Sequence, residues 1–157
     1  MSFSVFVSAS WKDRDTVDKL VRILQQYEIQ PILSWDMIRV GDPIVNRIRQ
    51  QIRASDCVLA IIGKHGGRSE SMDFEVGMAI GLNKIVVPLI EEGADIPKAL
   101  IEKQYILIDK NRPELSYERA AAYLNSLKIE KERRNAIGGL VLLGIGLLFL
   151  AALGSED

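Results

Sequence analysis

Cys57-Val58-Leu59-Ala60-Ile61-Ile62 is a run of six apolar residues with no polar interruption. A strand wet on one face alternates apolar and polar residues, whereas one covered on both faces does not. The run therefore predicts a central strand of a parallel sheet. On its N-terminal side, Pro43 suits the first turn of a helix that carries Ile44, Ile48 and Ile52. Before that helix come the short strand Pro31-Ile32-Leu33 and a helix capped by Asp13 or Asp15. Val17, Leu20, Val21, Leu24 and Tyr27 fall on one face of that helix. The first element, Phe3-Ser4-Val5-Phe6-Val7-Ser8, reads as a strand rich in aromatic and β-branched residues. On the C-terminal side, the loop Gly63-Lys64-His65-Gly66-Gly67-Arg68 leads to a helix over 71–82. A strand over 85–89, a short helix over 97–102, a strand over 105–108 and a last helix from about Ser116 follow. Five strands alternating with helices imply an α/β fold with helices on both faces. Right-handed crossovers favour a flavodoxin-like five-stranded parallel sheet of order 2-1-3-4-5. Its ligand crevice opens where the strand order reverses, at the carboxyl ends of strands 1 and 3. That places Ser8–Lys12 and Gly63–Ser71 at its rim.

The 157 residues suffice for one domain with an appendage, and 20 Lys+Arg against 21 Asp+Glu leave no basic stripe, so no nucleic-acid partner is expected. One cysteine excludes an internal disulfide, and one cysteine with one histidine offers no metal cluster. Cys57, in mid-strand, is expected to be an inert core thiol. Gly63-Lys64-His65-Gly66-Gly67 lacks the spacing of a phosphate-binding P-loop. Glu91, Glu92 and Asp95 read as a solvated acidic loop.

From Ala136 to Leu153 eighteen residues carry no charged or polar side chain. At about 1.5 Å per residue this run approaches the roughly 30 Å hydrocarbon core, so it predicts a C-terminal transmembrane helix contacting membrane lipid through residues 136–153. The basic run Lys128–Arg134 before it sets the orientation, leaving the globular part cytoplasmic. The expected division is a domain over 1–133 and an anchor with a short tail over 134–157. The N-terminus has no basic n-region, so no signal peptide is expected.

In the helix over 71–82, Glu75 is the only ionisable side chain between Asp73 and Lys84. Most glutamates are solvated, but this one follows the predicted crevice, where burial would raise its pKa and a ligand could use it. The surrounding stretches resemble a Toll/interleukin-1 receptor (TIR) domain of prokaryotic type. They are Val5–Ser10 with Asp13, Trp35-Asp36 through Gly41-Asp42-Pro43-Ile44, Ser55–Ile62, Ser69 and Ser71 ahead of Glu75, and Ala79 with Asn83–Pro88. The resemblance runs over residues 3–109.

The resemblance implies the same sheet order and makes Trp35, Asp36, Gly41, Asp42 and Pro43 part of an interaction loop, the BB loop. Many TIR domains cleave NAD+ with a glutamate early in the helix after strand 3, a role that carries over onto Glu75. It further implies that Ser8, Trp11, Arg14, Asp36, Arg39, Gly41 and Ser71 surround the nucleotide, with NAD+ as substrate and no cofactor. Self-association through TIR–TIR contacts, and contact with other TIR proteins, are implied too. Ser71 and Ala9 stand where many members carry an aromatic, which removes flat surface from the pocket. Two alternatives stay open: a non-catalytic TIR adaptor, and a nucleoside deoxyribosyltransferase-like enzyme.

Overall fold

Five strands and four helices alternate along the computed structural model, which describes residues 2–37, 43–65 and 70–142. In chain order they are β1 (Phe3–Ala9), α1 (Arg14–Gln26), β2 (Ile29–Leu33), α2 (Ile44–Ala54), β3 (Cys57–Ile62), α3 (Glu70–Gly81), β4 (Val86–Glu91), β5 (Ile106–Ile108) and α4 (Pro113–Leu142). All neighbouring strands are parallel, in the order β2-β1-β3-β4-β5. This is the flavodoxin-like arrangement that the six-residue apolar run implies, and all six of its side chains are buried.

One face of the sheet is covered by α2 and α3. Phe6 of β1, Ile48 and Ile52 of α2, Val58 of β3 and Ala79 of α3 form one buried cluster, with Ile32 of β2 packed against it. A second cluster joins Ala60 and Ile62 to Met72 and Val76 of α3, Ile90 of β4 and Leu100. Each fully buried side chain of this size contributes about 1.5–3 kcal/mol of apolar transfer. The strand order reverses between β2 and β3, so the crossover through α1 runs the other way and puts α1 on the opposite face. There α1 buries Val17, Leu20 and Leu24.

Two details differ from expectation. Asp13 takes the N-cap position of α1, but its side chain makes no capping hydrogen bond to the helix. Ser10 accepts from the Lys12 N–H at 3.2 Å and caps a 3-10 turn, Trp11–Asp13, that precedes the helix. The last helix starts at Pro113, not near Ser116, because proline at a first turn costs no hydrogen bond. Among the described residues no helix is long and apolar enough to cross a membrane. Helix α4 is charged along most of its length and reaches the apolar run only at its end, while residues 143–153 of the expected span lie outside the described residues. The chain divides into two units, Met1–Ala121, which contains the whole sheet, and Ala122–Asp157.

Candidate active site

Along β1 and β2 the residues opposite each other on the α2/α3 face are Phe6 and Ile32. Two residues further along each strand direction, the same face carries Ser8 and then Ser34, which opens a 3-10 turn over Ser34–Met37. On α3, Ala79 belongs to the Phe6 cluster, and one turn toward the helix N-terminus lies Glu75. An apolar layer of Phe6, Ile32 and Ala79 is thus followed, at the carboxyl ends of the strands, by a polar layer of Ser8, Ser34 and Glu75.

Glu75 is 4% exposed. The Ser8 hydroxyl, itself fully buried, donates to Glu75 Oε2 at 2.5 Å. Burial pushes the Glu75 pKa up from 4.5 to about 7, against the opposing pull of the Ser8 and Ser34 hydroxyls. Desolvation wins because, among the described residues, no cation offsets it. At neutral pH the group exists in both protonation states, and can act as a stabilising carboxylate or give up a proton.

The β1–α1 connection supplies an aromatic rim. Trp11 is 59% exposed. Its ring meets the half-buried Trp35 edge to face, with centroids 5.3 Å apart and planes at 89°. Arg14 lies over the Trp11 ring at 5.3 Å and donates to the Trp11 carbonyl at 3.2 Å. The Arg14 guanidinium is therefore engaged with Trp11, which it buttresses by a cation–π contact.

Asp13 is buried on the other side of the β1 end. Its carboxylate accepts the Gly63 N–H at 3.3 Å, and a Cβ on residue 63 would sit 1.9 Å from Asp13 Oδ1. Any side chain there requires the Asp13 carboxylate to move. The Asp13 pKa is raised, chiefly by burial and secondarily by Glu91, while the Gly63 N–H and His65 pull the other way. Cys57 is buried, and its thiol is pushed up to about 12 by burial, next by Asp56, against the opposing Lys84. Glu91 accepts the Lys64 N–H at 3.0 Å, so this part of the acidic loop fixes the turn after β3.

Of the residues expected at the site, Ser8 and Glu75 are in direct contact, and Trp11 stands with Trp35 and Arg14. Ser71 is exposed one turn before Glu75 on α3. Pro43 is exposed at the start of α2, where its carbonyl accepts the Arg47 N–H at 3.4 Å. Asp36 belongs to the 3-10 turn after β2, its side chain outside the description, and Arg39, Gly41 and Asp42 lie outside the described residues. Among the described residues no three His, Cys, Asp or Glu side chains converge to hold a metal ion. Ser34 is the site residue that sequence reading missed. Its signal was the alternation Ile32, Ser34 matching Phe6, Ser8.

A protein-family model described as "TIR domain" matches residues 5–124. The chain belongs to the TIR domain family. No curated protein sequence matches it. Solved structures share the TIR fold at low identity. The TIR domain of the Toll-related receptor TRR-2 from Hydra magnipapillata aligns with a TM-score of 0.63 and 17% identity, over 76% of this chain and 96% of that one. The CMP N-glycosidase BcmB of Clostridium botulinum aligns at 0.54 and 19%, over 71% and 95%. The TIR domains of the activated Roq1 resistosome align at 0.51 and 18%, over 80% and 84%.

Proposed function

We propose that this TIR domain cleaves NAD+ at the bond between nicotinamide and ribose. The observation that carries the reading is the buried Glu75 carboxyl at the reversal point of the sheet, unpaired with any described cation and poised near neutrality. As the C1′–N bond breaks, its electron pair returns to the nicotinamide ring nitrogen and neutralises the pyridinium. The ribose is left with oxocarbenium character at C1′, and the ionised Glu75 stabilises that positive charge. Water then adds at C1′ and loses a proton to give ADP-ribose, or a nitrogen of the adenine adds instead and closes a ring. Trp11 offers an exposed face on which a base can stack, with Asp36, Arg39, Gly41 and Ser71 as further nucleotide contacts. The BB loop Trp35–Pro43 serves TIR–TIR association with a second copy or another TIR protein. The resistosome, in which TIR domains assemble, supports this part of the reading.

The deciding experiment follows nicotinamide release from NAD+ by the full chain at high concentration on liposomes, beside Glu75→Ala. A loss of about 100-fold or more in the variant is the expected result, the scale for removing a group that stabilises charge in the transition state. Absence of release from folded, assembled wild-type protein overturns the reading in favour of the adaptor. One observation favours a second enzyme: the same fold carries a CMP N-glycosidase, which breaks the same class of bond. A nucleoside deoxyribosyltransferase-like enzyme would act on nucleosides or nucleotides without NAD+. Base release from CMP or base exchange on deoxynucleosides, with NAD+ untouched, identifies it.

Tethering by residues 136–153, with the TIR domain on the cytoplasmic face, remains part of the proposal and rests on the composition of that run. Retention in the membrane fraction after alkaline carbonate washing supports it. Release into the wash refutes it.

A further inference from the structure

Trp11 offers the proposed reaction a stacking face, yet an exposed tryptophan on a connection has to be held before a base can use it. It opens the 3-10 turn that ends at Asp13, and the two residues face different ways, Trp11 exposed and Asp13 buried. The turn is a closed unit. The Asp13 N–H donates to the Ser10 carbonyl at 2.9 Å, and the Lys12 N–H to the Ser10 hydroxyl at 3.2 Å. Whatever fixes Asp13 therefore fixes Trp11 two residues before it. Asp13 is fixed by the turn after β3, where its carboxylate accepts the Gly63 N–H at 3.3 Å and position 63 has no Cβ to push it away. Gly63 is buried, so its N–H needs this acceptor. That turn is anchored without Asp13. Strand β3 is paired with β1 as far as Ile61 and with β4 as far as Ile62, and the next N–H, of Lys64, donates to Glu91 at 3.0 Å. Two successive N–H groups after β3 are thus taken by two carboxylates, one from the connection after β1 and one from the end of β4.

We propose that Asp13 is a positioning residue: its carboxylate braces the Trp11 turn against the anchored turn after β3 and so sets Trp11 at the mouth of the crevice. Trp11 belongs to the connection after β1 and Trp35 to the turn after β2, so their edge-to-face contact reports whether the Trp11 turn is in place. Arg14 also touches the Trp11 ring, but it sits on the same stretch of chain and ties it to no other element. Asparagine at position 13 keeps a side-chain oxygen for the Gly63 N–H, whereas alanine does not. Alanine at position 63 attacks the brace from its other end, because the added Cβ would lie 1.9 Å from Asp13 Oδ1. The stacking of a base on Trp11 rests on the NAD+ reading. The brace does not.

The test reads the brace in the substrate-free full chain by near-ultraviolet circular dichroism. Trp11 and Trp35 are the chain's two tryptophans, so the indole band comes from them alone. Its coupled component is the spectrum with both tryptophans minus those of Trp11→Phe and Trp35→Phe, plus that of the double variant, measured in each background. Asp13→Ala and Gly63→Ala are expected to lose most of that component with the far-ultraviolet spectrum unchanged, and Asp13→Asn to retain it. A component unchanged in both alanine variants overturns the brace, as does an asparagine variant that loses as much as alanine. Nicotinamide release is measured on the same proteins. Asp13→Ala should raise KM for NAD+ by about 5-fold, the low end for one base–aromatic stack, with kcat little changed, and should add nothing further in a Trp11→Ala background. A fall in kcat with KM unchanged would make Asp13 merely structural and overturn the proposal. Lost coupling in the alanine variants, with no NAD+ cleavage by the wild type, refutes the NAD+ reading and leaves the brace standing. Retained coupling, or KM effects that add to those of Trp11→Ala, in an active enzyme refutes the brace alone.

Discussion

Replacing Glu75 by glutamine should stabilise the protein at neutral and alkaline pH while leaving stability at mildly acid pH nearly unchanged. In the fold the carboxyl titrates at about 7, against 4.5 when unperturbed. Between these values the native state binds a proton that the unfolded chain has released, so stability falls as pH rises through the interval. The contribution of protonated Glu75 is complete below the unfolded pKa and is lost once pH passes the folded one. The gap of about 2.5 pH units, at about 1.36 kcal/mol each, amounts to roughly 3 kcal/mol. Glu75 is 4% exposed, so solvent screening does not reduce the figure appreciably. Glutamine has nearly the same shape, accepts from the same hydroxyls and carries no charge at any pH. Thermal melts of both proteins, followed by far-ultraviolet circular dichroism from about pH 4 to about pH 8.5, read the difference and cancel every other titration. Near the acid end the two midpoints should coincide, and near the alkaline end the variant should melt about 10 °C higher. A difference independent of pH would refute the reasoning. A wild type that gains on the variant as pH rises would do so more sharply, since the carboxylate would then be stabilised by the fold.

On the proposed NAD+ reading, the same titration governs turnover. If ionised Glu75 stabilises the departing ribosyl cation, kcat/KM for NAD+ should rise with pH, with a midpoint near 7, and then level; a fall above that pH would identify Glu75 as a proton donor to a leaving base. Trp11→Ala should raise KM by about 5-fold or more, the low end for one base–aromatic stack, with kcat little changed and the melting midpoint within a few degrees of wild type; equal KM values would remove Trp11 from the site. Gly63→Ala should cost roughly 1–3 kcal/mol in chemical denaturation, because its Cβ would enter the Asp13 carboxylate at 1.9 Å. Combined with Asp13→Ala, the same change should cost little more than Asp13→Ala alone, and strict additivity would show that the two do not meet.

The sheet was legible because its central strand is unambiguous: Cys57–Ile62 has no polar residue, and only a strand buried on both faces accommodates that. Edges were less legible. The second strand starts at Ile29, before the Pro31 from which it was read, since Ile29 pairs with Phe3 and is buried. The Asp13 carboxylate looked like a helix cap and instead spans to Gly63, a residue fifty positions away that no local pattern announces. Glu75 was legible from its isolation on the helix after the third strand. Ser34 was not, because its meaning depends on register. Read alone it is a turn serine, and only the pairing of Phe6 with Ile32 shows that it continues an inward-facing row.

That row bears on why a carboxylate stands at position 75. A buried glutamate kept for stability would have its pKa held down by a cation or by several donors, and deprotonation would then strengthen the fold. Here the balance has the opposite sign: two hydroxyls fail to outweigh burial, and the ionised carboxylate weakens the fold by roughly 3 kcal/mol at alkaline pH. Glutamine, leucine or methionine at this position would continue the Ala79 stripe at no such cost. The neighbouring layer demonstrates that the same three elements can be closed with Phe6, Ile32 and Ala79. A group that destabilises its own fold, at the strand-order reversal where doubly wound sheets commonly hold ligands, is what the proposed chemistry requires, and packing alone would not select it.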